Sequence, residues 1–206
     1  MIVLSAKTPI NLYKKAFLEL YKSPNVSGDL RNYKDSFAIL TLDGYKYDSQ
    51  VYLDECGFHS SFDYDQYIVG GNEWMKVEID HYNNEYIQSG KIVKLVNLFE
   101  FDPYTRRGVI SLWDNPYLNF KKPFPCTVYV HFRRINGKLN MNYHMRANDA
   151  YKILLMDIHI ALSLHQYVAD QLNLRLGVYN HIVDSLHFYK EHIVEIDRLY
   201  KLFKMS

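Results

Sequence analysis

Residues 126–146 read CTVYVHFRRINGKLNMNYHMR, and this stretch decides the fold. Apolar and polar side chains alternate on both sides of its centre, which is typical of two strands that each bury one face. The central pair Asn136-Gly137 favours a tight two-residue turn. The stretch therefore predicts an antiparallel hairpin.

The first strand of this hairpin is predicted over residues 126–134. One face should carry Val128, Val130 and Phe132, and the opposite face should carry Thr127, Tyr129 and His131. The return strand should bury one row of side chains and end at Arg146. That row consists of Leu139, Met141, Tyr143 and Met145. In such a hairpin Cys126 lies close to Arg146, because the start of one strand faces the end of the other.

Helices are predicted on both sides of the hairpin along the chain. Helical spacing of Leu12, Ala16, Phe17, Leu20 and Tyr21 indicates an amphipathic helix near the start. Residues 149–172 are apolar almost all round, which indicates a buried helix that stops before Gly177. We also predict a helix over 72–86 and a C-terminal helix. The C-terminal stripe consists of Tyr189, Ile193, Ile196, Tyr200 and Phe203.

Further strands are predicted over 36–42, over 109–113 and up to about Val183. The pair Asp43-Gly44 should end the first of them. Strands and helices mixed in this way, with hairpin-linked strands, predict an α+β fold in which a mixed sheet is flanked by helices. The chain length favours one domain over residues 1–206.

Composition excludes several classes of protein. The chain has 24 Lys plus Arg against 23 Asp plus Glu, a net charge of +1, which argues against a general phosphate-backbone binder. Hydrophobic residues make up 48%, unlike a disordered chain. No apolar stretch approaches the ~20 residues of a membrane span, and the start lacks a signal-peptide core. Two cysteines, Cys56 and Cys126, fit a reducing compartment, so we expect a cytoplasmic protein without nucleic-acid or membrane partners.

Four features could carry chemistry, and each also has an ordinary explanation. Cys126 could be a small core side chain, or a nucleophile whose thiolate is favoured by a nearby Arg146. The pair Arg106-Arg107 could be a solvated edge or an anion site. Asp157 lies among apolar helical neighbours, so it either faces solvent or has a specific partner such as a polar ligand.

Other common sites are not favoured. His181, His187 and His192 come without HExxH or CxxC spacing, which argues against a metal site. The chain contains no glycine-rich phosphate loop and no GxSxG nucleophile elbow.

Five segments taken in order resemble the thymidylate synthase family. Four of them are DPYTRRGVISLWDNP (102–116), PCT (125–127), INGKLNMNYHMRAND (135–149) and SLHFYKEH (185–192). Their mutual spacing also fits, and the resemblance covers about residues 98–200 well. The fifth patch, 73–82, is similar to the helix that carries the family's catalytic glutamate, which would be Glu78. The resemblance implies a thymidylate synthase-like fold, with a twisted mixed sheet and with sheets packed back to back in a homodimer.

Within this family, the chain looks more like deoxycytidylate 5-hydroxymethylase. Thymidylate synthases carry an asparagine where this chain has Asp157, and that asparagine reads uracil. Cytosine offers an amino donor at C4 that a carboxylate accepts, whereas uracil would present a carbonyl to it. Leaving such buried groups unpaired costs ~1–3 kcal/mol, roughly ten- to hundredfold in discrimination.

The resemblance also implies a mechanism. The Cys126 thiolate would add to C6 of the pyrimidine, which makes C5 a nucleophile. C5 would then take the one-carbon unit of 5,10-methylenetetrahydrofolate, and water capture would yield a 5-hydroxymethyl product. Glu78 would organise water and proton transfers, and Asp149 would contact the folate.

The resemblance assigns the remaining site residues to the nucleotide. His187 and Tyr189 would hold the sugar hydroxyl. Paired guanidinium groups suit a phosphate dianion because each offers a planar fork of donors. The arginines would be shared across the homodimer interface, with Arg31 and Arg146 from one subunit and Arg106 and Arg107 from the other.

Three departures from the family pattern concern the phosphate and the folate. Ala147 stands where relatives usually have a serine that helps to bind phosphate, the segment 82–102 is short, and the tail ends soon after the last helix. We therefore expect a complete nucleotide half and a reduced folate pocket. Two alternatives to the hydroxymethylase stay open: a thymidylate synthase or cytidylate methylase, and a degenerate member that binds a pyrimidine nucleotide without turnover. A virus-encoded enzyme is compatible with hydroxymethylation.

Overall fold

The computed structural model describes residues 1–29, 31–47, 89–113 and 125–205. The predicted helix over 72–86, together with Glu78 and Cys56, lies outside these residues. The part of the chain that the structure describes contains seven strands, which are β1 (Ile2–Ala6), β2 (Asn32–Leu42), β3 (Val109–Ser111), β4 (Thr127–Ile135), β5 (Lys138–Met145), β6 (Asn148–Asp149) and β7 (Arg175–Tyr189). Helices of the described ranges are α1 (Pro9–Lys22), α2 (Lys91–Phe101), α3 (Leu154–Gln171) and α4 (Ile193–Met205), with a 3-10 turn at Lys190–His192.

The described strands form one mixed sheet in the order β1-β2-β7-β5-β4-β3. The pairs β1–β2 and β5–β7 are parallel, whereas β2–β7, β4–β5 and β3–β4 are antiparallel. The short β6 pairs with the far end of β7. The predicted mixed sheet with flanking helices is confirmed.

The hairpin at the centre of the chain forms as predicted. Asn136 and Gly137 have φ values of 51° and 72°, which a two-residue turn between twisted strands requires. Ile135 pairs with Lys138 directly across this turn. The predicted row of Leu139, Met141, Tyr143 and Met145 is fully buried.

Two face assignments at the start of β4 are wrong. Val130 and Phe132 point into the core as predicted, but Val128 is only half-buried, and Thr127 is fully buried instead of sharing a face with Tyr129 and His131. The cause is an irregularity in the β4–β5 register between Thr127 and Tyr129. An extra residue in one strand shifts the alternation, so the start of the strand turns the other way.

Helix α1 forms the predicted amphipathic element and packs on the sheet and on α4. Thr8 caps its N-terminus by accepting from the Asn11 backbone N–H at 3.3 Å, and Pro9 occupies the first turn, where no amide donor is needed. Phe17 packs against Phe188 of β7 at a ring separation of 4.7 Å. Near the other end, Tyr21 donates to Asp197 of α4 at 2.8 Å.

The long apolar helix begins and ends differently from the prediction. Its predicted first residue, Asp149, belongs to β6, and α3 starts only at Leu154. The chain leaves the helix at Asn173, which has a φ of 51°. Gly177, the predicted stop, lies inside β7, where a Cβ would sit 2.7 Å from the Leu139 carbonyl oxygen. That glycine therefore permits close backbone approach within the sheet.

The remaining predicted elements hold with changed bounds. The strand expected at 36–42 starts earlier, and the strand expected up to about Val183 extends to Tyr189, so Tyr189 belongs to β7 and not to the last helix. Ile196 and Phe203 of α4 are buried as the stripe predicted. Strand β1 was not predicted, because five residues beside a helix give too short a pattern.

The helices of the described ranges contact one another in the order α4–α1–α3–α2 and cover one face of the sheet. The opposite face carries half-buried side chains, including a polar row across three strands. In this row Thr41 donates to Asn180, and Asn180 donates to Asn142, each at 2.8 Å. No helix in the described ranges is long and apolar enough to span a membrane.

A buried histidine links α3 to the hairpin. His165 is fully buried, and its Nε2 donates to the Leu139 carbonyl oxygen at 2.8 Å. Its Nδ1 therefore accepts, and the Tyr45 hydroxyl donates to it at 2.6 Å. Burial lowers the pKa of His165 to about 4, so this histidine is neutral in the folded protein.

Stability should fall on acidification because of His165. In the unfolded chain its pKa returns to ~6.5, so between about pH 6.5 and 4 the unfolded state binds one more proton than the folded state. The free energy of unfolding should therefore drop by about 1.4 kcal/mol per pH unit through this residue over that window. Urea unfolding at pH 7, 6 and 5 measures the slope. His165→Leu removes the group that takes up this proton, so the free energy of unfolding should then depend less steeply on pH. An unchanged slope in this variant would contradict the assignment.

Candidate active site

Cys126 and Arg146 are neighbours at one end of the hairpin, as predicted. The Arg146 backbone N–H donates to the Cys126 carbonyl oxygen at 2.9 Å. The Arg146 side chain turns back over the same strand end, where its Nε donates to the Pro125 carbonyl oxygen at 3.3 Å. Cys126 is half-buried and Arg146 is exposed, so this end of the sheet presents a thiol beside a guanidinium group.

The end of β7 positions two further candidate residues, Tyr189 and Arg31. Tyr189 is half-buried, and burial together with the negative charges of Asp149 and Cys126 raises its pKa, while the positive charges of Arg31 and Arg146 oppose the rise. The Lys190 backbone N–H donates to the Arg31 carbonyl oxygen at 2.9 Å, which anchors the chain before β2 beside Tyr189. The charges of four predicted site residues therefore act on Tyr189.

Asp149 is held beside His187 by the pairing of β6 with β7. Its Oδ1 accepts from the backbone N–H groups of Tyr151 at 2.9 Å and Lys152 at 3.2 Å. Burial raises the pKa of Asp149, although these two donors and the nearby charges of His187 and Lys152 act in the opposite direction. Both backbone bonds go to one oxygen, so the carboxylate is fixed in orientation.

His187 presents an acceptor atom. Its Nδ1 lies 3.0 Å from the Ser185 carbonyl oxygen, which can only accept, so Nδ1 carries the proton. Its Nε2 is then an acceptor, and this buried atom has no hydrogen-bond partner among the described residues. The ring packs edge-on against Tyr189, with 4.7 Å between ring centroids.

Asp157 is buried, with 3% of its surface exposed, so the solvent-facing alternative is wrong. It lies in the first turn of α3, because that helix starts at Leu154. The positive end of the helix dipole stabilises a carboxylate at this position, typically by 0.3–1 kcal/mol and by up to ~2 kcal/mol where partly buried. Its negative charge also acts on the hydroxyl of Tyr179 in β7.

A buried polar cluster lies on the inner face of the sheet behind Cys126. Thr127 donates to the Tyr143 hydroxyl at 2.7 Å, and the Tyr143 ring stacks on His181 with an interplanar angle of 12°. His181 in turn contacts Tyr179 and Asn148. The sequence prediction missed this cluster, because the alternation in β4 placed Thr127 outside and gave His181 only a doubtful metal role.

The arginine pair lies elsewhere in the same chain. Arg106 and Arg107 are exposed and precede β3, in which Val109 pairs with His131. That pairing places them roughly 20 Å along β4 from Cys126 at ~3.3 Å per strand residue. A single copy therefore does not bring them to the Cys126 end.

The assembled groups suit a particular kind of ligand. A thiol, guanidinium groups and the buried carboxylate of Asp149 all act electrostatically on Tyr189 at one end of the sheet, which fits an anionic ligand with a polar ring. Within the described ranges, no group of three or more His, Cys, Asp or Glu side chains is arranged to hold a metal ion.

A family model described as thymidylate synthase matches residues 63–202, which is more than half of the chain. The chain belongs to the thymidylate synthase family. A thymidylate synthase of Streptococcus agalactiae is 28% identical over 146 residues, covering 64% of this chain and 52% of that protein. A bifunctional dihydrofolate reductase-thymidylate synthase of Paramecium tetraurelia is 26% identical and covers 70% of this chain and 32% of its own length.

A thymidylate synthase of varicella-zoster virus is 25% identical, covering 71% of this chain and 50% of that protein. The chain thus spans about a third to a half of the length of these relatives. Among solved structures, thermostable thymidylate synthase A from Bacillus subtilis aligns with a TM-score of 0.50 at 22% identity, over 54% of this chain and 40% of that one. The fold is therefore that of thymidylate synthases.

The buried bond between Thr127 and Tyr143 should contribute to stability. Thr127→Val replaces the hydroxyl by a methyl group and removes the donor to Tyr143, so the free energy of unfolding should fall by ~1–3 kcal/mol. Thr41→Val is the matched control, because it removes a similar bond from the half-buried outer face. Urea unfolding measures the loss of unfolding free energy in each variant. We expect the larger loss in Thr127→Val, and equal losses would contradict the claim that burial makes the Thr127 bond more important for stability.

Proposed function

We propose that this protein is a C5 one-carbon transferase acting on a pyrimidine nucleoside monophosphate, and specifically a cytidylate 5-hydroxymethyltransferase. The observation that carries the proposal is the buried carboxylate of Asp157 in a family member whose Cys126 thiol lies beside Arg146. Membership of the thymidylate synthase family supports the general reaction class. The proposal takes residues 1–206 as one domain.

Cys126 would act as the nucleophile of this reaction. Its thiolate adds to C6 of the pyrimidine, and the electron pair displaced toward C5 makes that carbon nucleophilic. The guanidinium group of Arg146, which is held at the same strand end by its bond to the Pro125 carbonyl oxygen, would favour the thiolate form by its positive charge. Glu78 would organise water and proton transfers, a role carried over from the family resemblance.

The described residues fit a folate cosubstrate. Both backbone donors to Asp149 contact its Oδ1, and no described group donates to its Oδ2. A carboxylate oxygen held in this way suits an N–H donor on the folate ring. Bound 5,10-methylenetetrahydrofolate would supply the one-carbon unit, and the short segment 82–102 supports a reduced pocket around it.

Asp157 would read the base. A carboxylate accepts from the exocyclic amino group of cytosine, whereas the O4 carbonyl of uracil would face it acceptor to acceptor. Leaving the pair unsatisfied in a buried site costs ~1–3 kcal/mol, which corresponds to roughly ten- to hundredfold preference.

The phosphate and the sugar would bind around Tyr189. Arg146 and Arg31 both act on the Tyr189 hydroxyl and would bind the phosphate dianion. The acceptor Nε2 of His187 suits a sugar hydroxyl donor, with Tyr189 beside it. Ala147 supplies no hydroxyl to the phosphate, so the arginines carry more of that binding.

We also propose a homodimer formed through the open face of the sheet. The helices of the described ranges cover only the other face, and the open face carries half-buried apolar and polar side chains. Since Arg106 and Arg107 do not reach the Cys126 end of their own chain, they would serve the site of the second copy. Sheets packed back to back would make this sharing possible.

Two alternatives remain. The first alternative is a thymidylate synthase, which is what the similar proteins are. Asp157 argues against this alternative, because uracil has no amino group at C4 to donate to a carboxylate. A nucleotide-binding protein without turnover would not require a half-buried thiol beside an arginine.

Tritium release from C5-labelled nucleotides should separate these functions. With methylenetetrahydrofolate present, the protein should release tritium from dCMP but not from dUMP, because thiolate addition at C6 labilises the C5 hydrogen. Cys126→Ser should abolish the release, and Cys56→Ser is the matched control. Release from dUMP alone would favour the thymidylate synthase, and no release from either would favour the binding protein.

Asp157→Asn should shift the base preference toward uracil. An amide can donate to O4, so the dCMP/dUMP ratio of kcat/KM should fall by roughly ten- to hundredfold. Asp170→Asn, an exposed substitution on the last turn of the same helix, is the control and should leave the ratio unchanged. An unchanged ratio in Asp157→Asn would show that Asp157 does not read the base.

A further inference from the structure

A carboxylate of β2 lies directly across the sheet from the candidate sugar-binding histidine. Asp35 and His187 are paired residues in the antiparallel register of β2 and β7. Paired residues of this kind lie on the same face of a sheet, where their side chains are close neighbours. No role in the site has so far been assigned to Asp35 or to Ser185, the residue that connects it to His187.

Two hydrogen bonds lead from this carboxylate to the imidazole ring. The Ser185 hydroxyl donates to Oδ2 of Asp35 at 2.7 Å. The Ser185 carbonyl oxygen accepts from Nδ1 of His187 at 3.0 Å. A carboxylate and a carbonyl oxygen can only accept, so the direction of both bonds is fixed by the groups themselves. Ser185 therefore contacts the carboxylate through its side chain and the ring through its backbone.

The backbone pairing of β2 with β7 is irregular on both sides of Asp35. The register shifts between Asn32 and Lys34 of β2, and it shifts again beside Ser185 of β7. Such irregularities interrupt the ladder of backbone hydrogen bonds and bend the strand. Oδ2 of Asp35 accepts from Nδ2 of Asn32 at 3.3 Å as well as from Ser185, so one carboxylate oxygen contacts a residue at each irregularity. Side-chain bonds thus hold the two strands together where the backbone ladder is interrupted.

The ring held in this way presents one acceptor. His187 is 5% exposed, and its buried Nε2 has no hydrogen-bond partner among the described residues. A buried acceptor that stays unpaired is costly, so this atom calls for a donor from a ligand. A hydrogen bond weakens steeply when its distance and angle are lost, so its strength depends on how firmly the ring is held.

We propose that Asp35 is a positioning residue, which through Ser185 holds the His187 ring so that Nε2 accepts from the 3′-hydroxyl group of a deoxynucleotide. Asp35 acts through Ser185 and touches no substrate. The inference rests on the proposed function, because it takes the ligand to be a pyrimidine nucleotide whose sugar lies at His187. It adds a consequence: Asp35 should determine how strongly the site prefers a nucleotide with a free 3′-hydroxyl group.

The chain contains a matched control for this inference. Asp197 of α4 accepts from the Tyr21 hydroxyl of α1 at 2.8 Å. Like Asp35, it is a half-buried carboxylate that receives a hydroxyl from a distant part of the sequence. Neither Tyr21 nor Asp197 belongs to the candidate site. Any effect of losing such a bond as such should therefore appear equally in Asp197→Ala.

The experiment measures calorimetric binding of dCMP and of 2′,3′-dideoxycytidine monophosphate, which lacks the 3′-hydroxyl group. The wild type should prefer dCMP about tenfold, the usual effect of leaving one buried acceptor unpaired. Asp35→Ala and Ser185→Ala should each reduce this preference below about threefold, because the ring is no longer held in place. The double variant should lose no more than either single variant, since both remove the same bond. Ser185→Thr keeps the hydroxyl and should restore the preference.

The ratio of the two affinities distinguishes positioning from general stability. Asp197→Ala should keep the wild-type ratio, and a purely structural role of Asp35 would weaken the binding of both nucleotides by the same factor. A folded Asp35→Ala with an unchanged ratio overturns the proposal, and so does an Asp197→Ala that lowers the ratio as strongly.

The outcomes for the wild type separate this inference from the proposed function. A wild type that shows no preference for dCMP over the dideoxynucleotide overturns the inference, whatever reaction the protein performs. A wild type that shows the preference but releases no tritium from any pyrimidine nucleotide overturns the proposed reaction. In that case the loss of the preference in Asp35→Ala and Ser185→Ala still supports the inference, because binding is measured without turnover.

Discussion

The backbone pairing of β4 with β5 is the constraint on which the candidate site depends. It places the Arg146 amide 2.9 Å from the Cys126 carbonyl oxygen and so joins the two residues whose chemistry is complementary. Slippage by one residue would exchange the two faces of a strand and expose the buried row of β5. The turn at Asn136-Gly137 and the core row therefore set the site geometry together, from opposite ends of the hairpin.

Strand β7 extends this constraint to the rest of the site. It pairs with β2, with β5 and, at its end, with β6, so its position is fixed from both sides. Its inner face contributes Tyr179 and His181 to the buried cluster, and its last residues contribute the buried His187 and the half-buried Tyr189 to the candidate site. One strand thus connects the core to the groups that would bind a nucleotide.

The sequence predicted what local patterns encode. The hairpin, the amphipathic α1 and the proximity of Cys126 to Arg146 follow from alternation, helical spacing and one turn dipeptide. It did not predict the buried side of Thr127, which depends on an irregular register, or the late start of α3, which depends on β6 pairing with a distant strand. The cluster around His181 was missed for the same reason, since its contacts join residues far apart in sequence.

The position of Asp157 shows how a costly group can be retained. A carboxylate buried among apolar side chains would be strongly unfavourable in the middle of a helix, yet its place in the first turn of α3 puts it at the positive end of the helix dipole. The delayed helix start thus lowers the cost of burying the charge. The Ile153 backbone N–H donates to the Asp149 carbonyl oxygen at 3.1 Å, and the Asp157 backbone N–H donates to the Ile153 carbonyl oxygen at 2.9 Å. Successive backbone hydrogen bonds therefore connect the strand that carries Asp149 to the helical turn that carries Asp157.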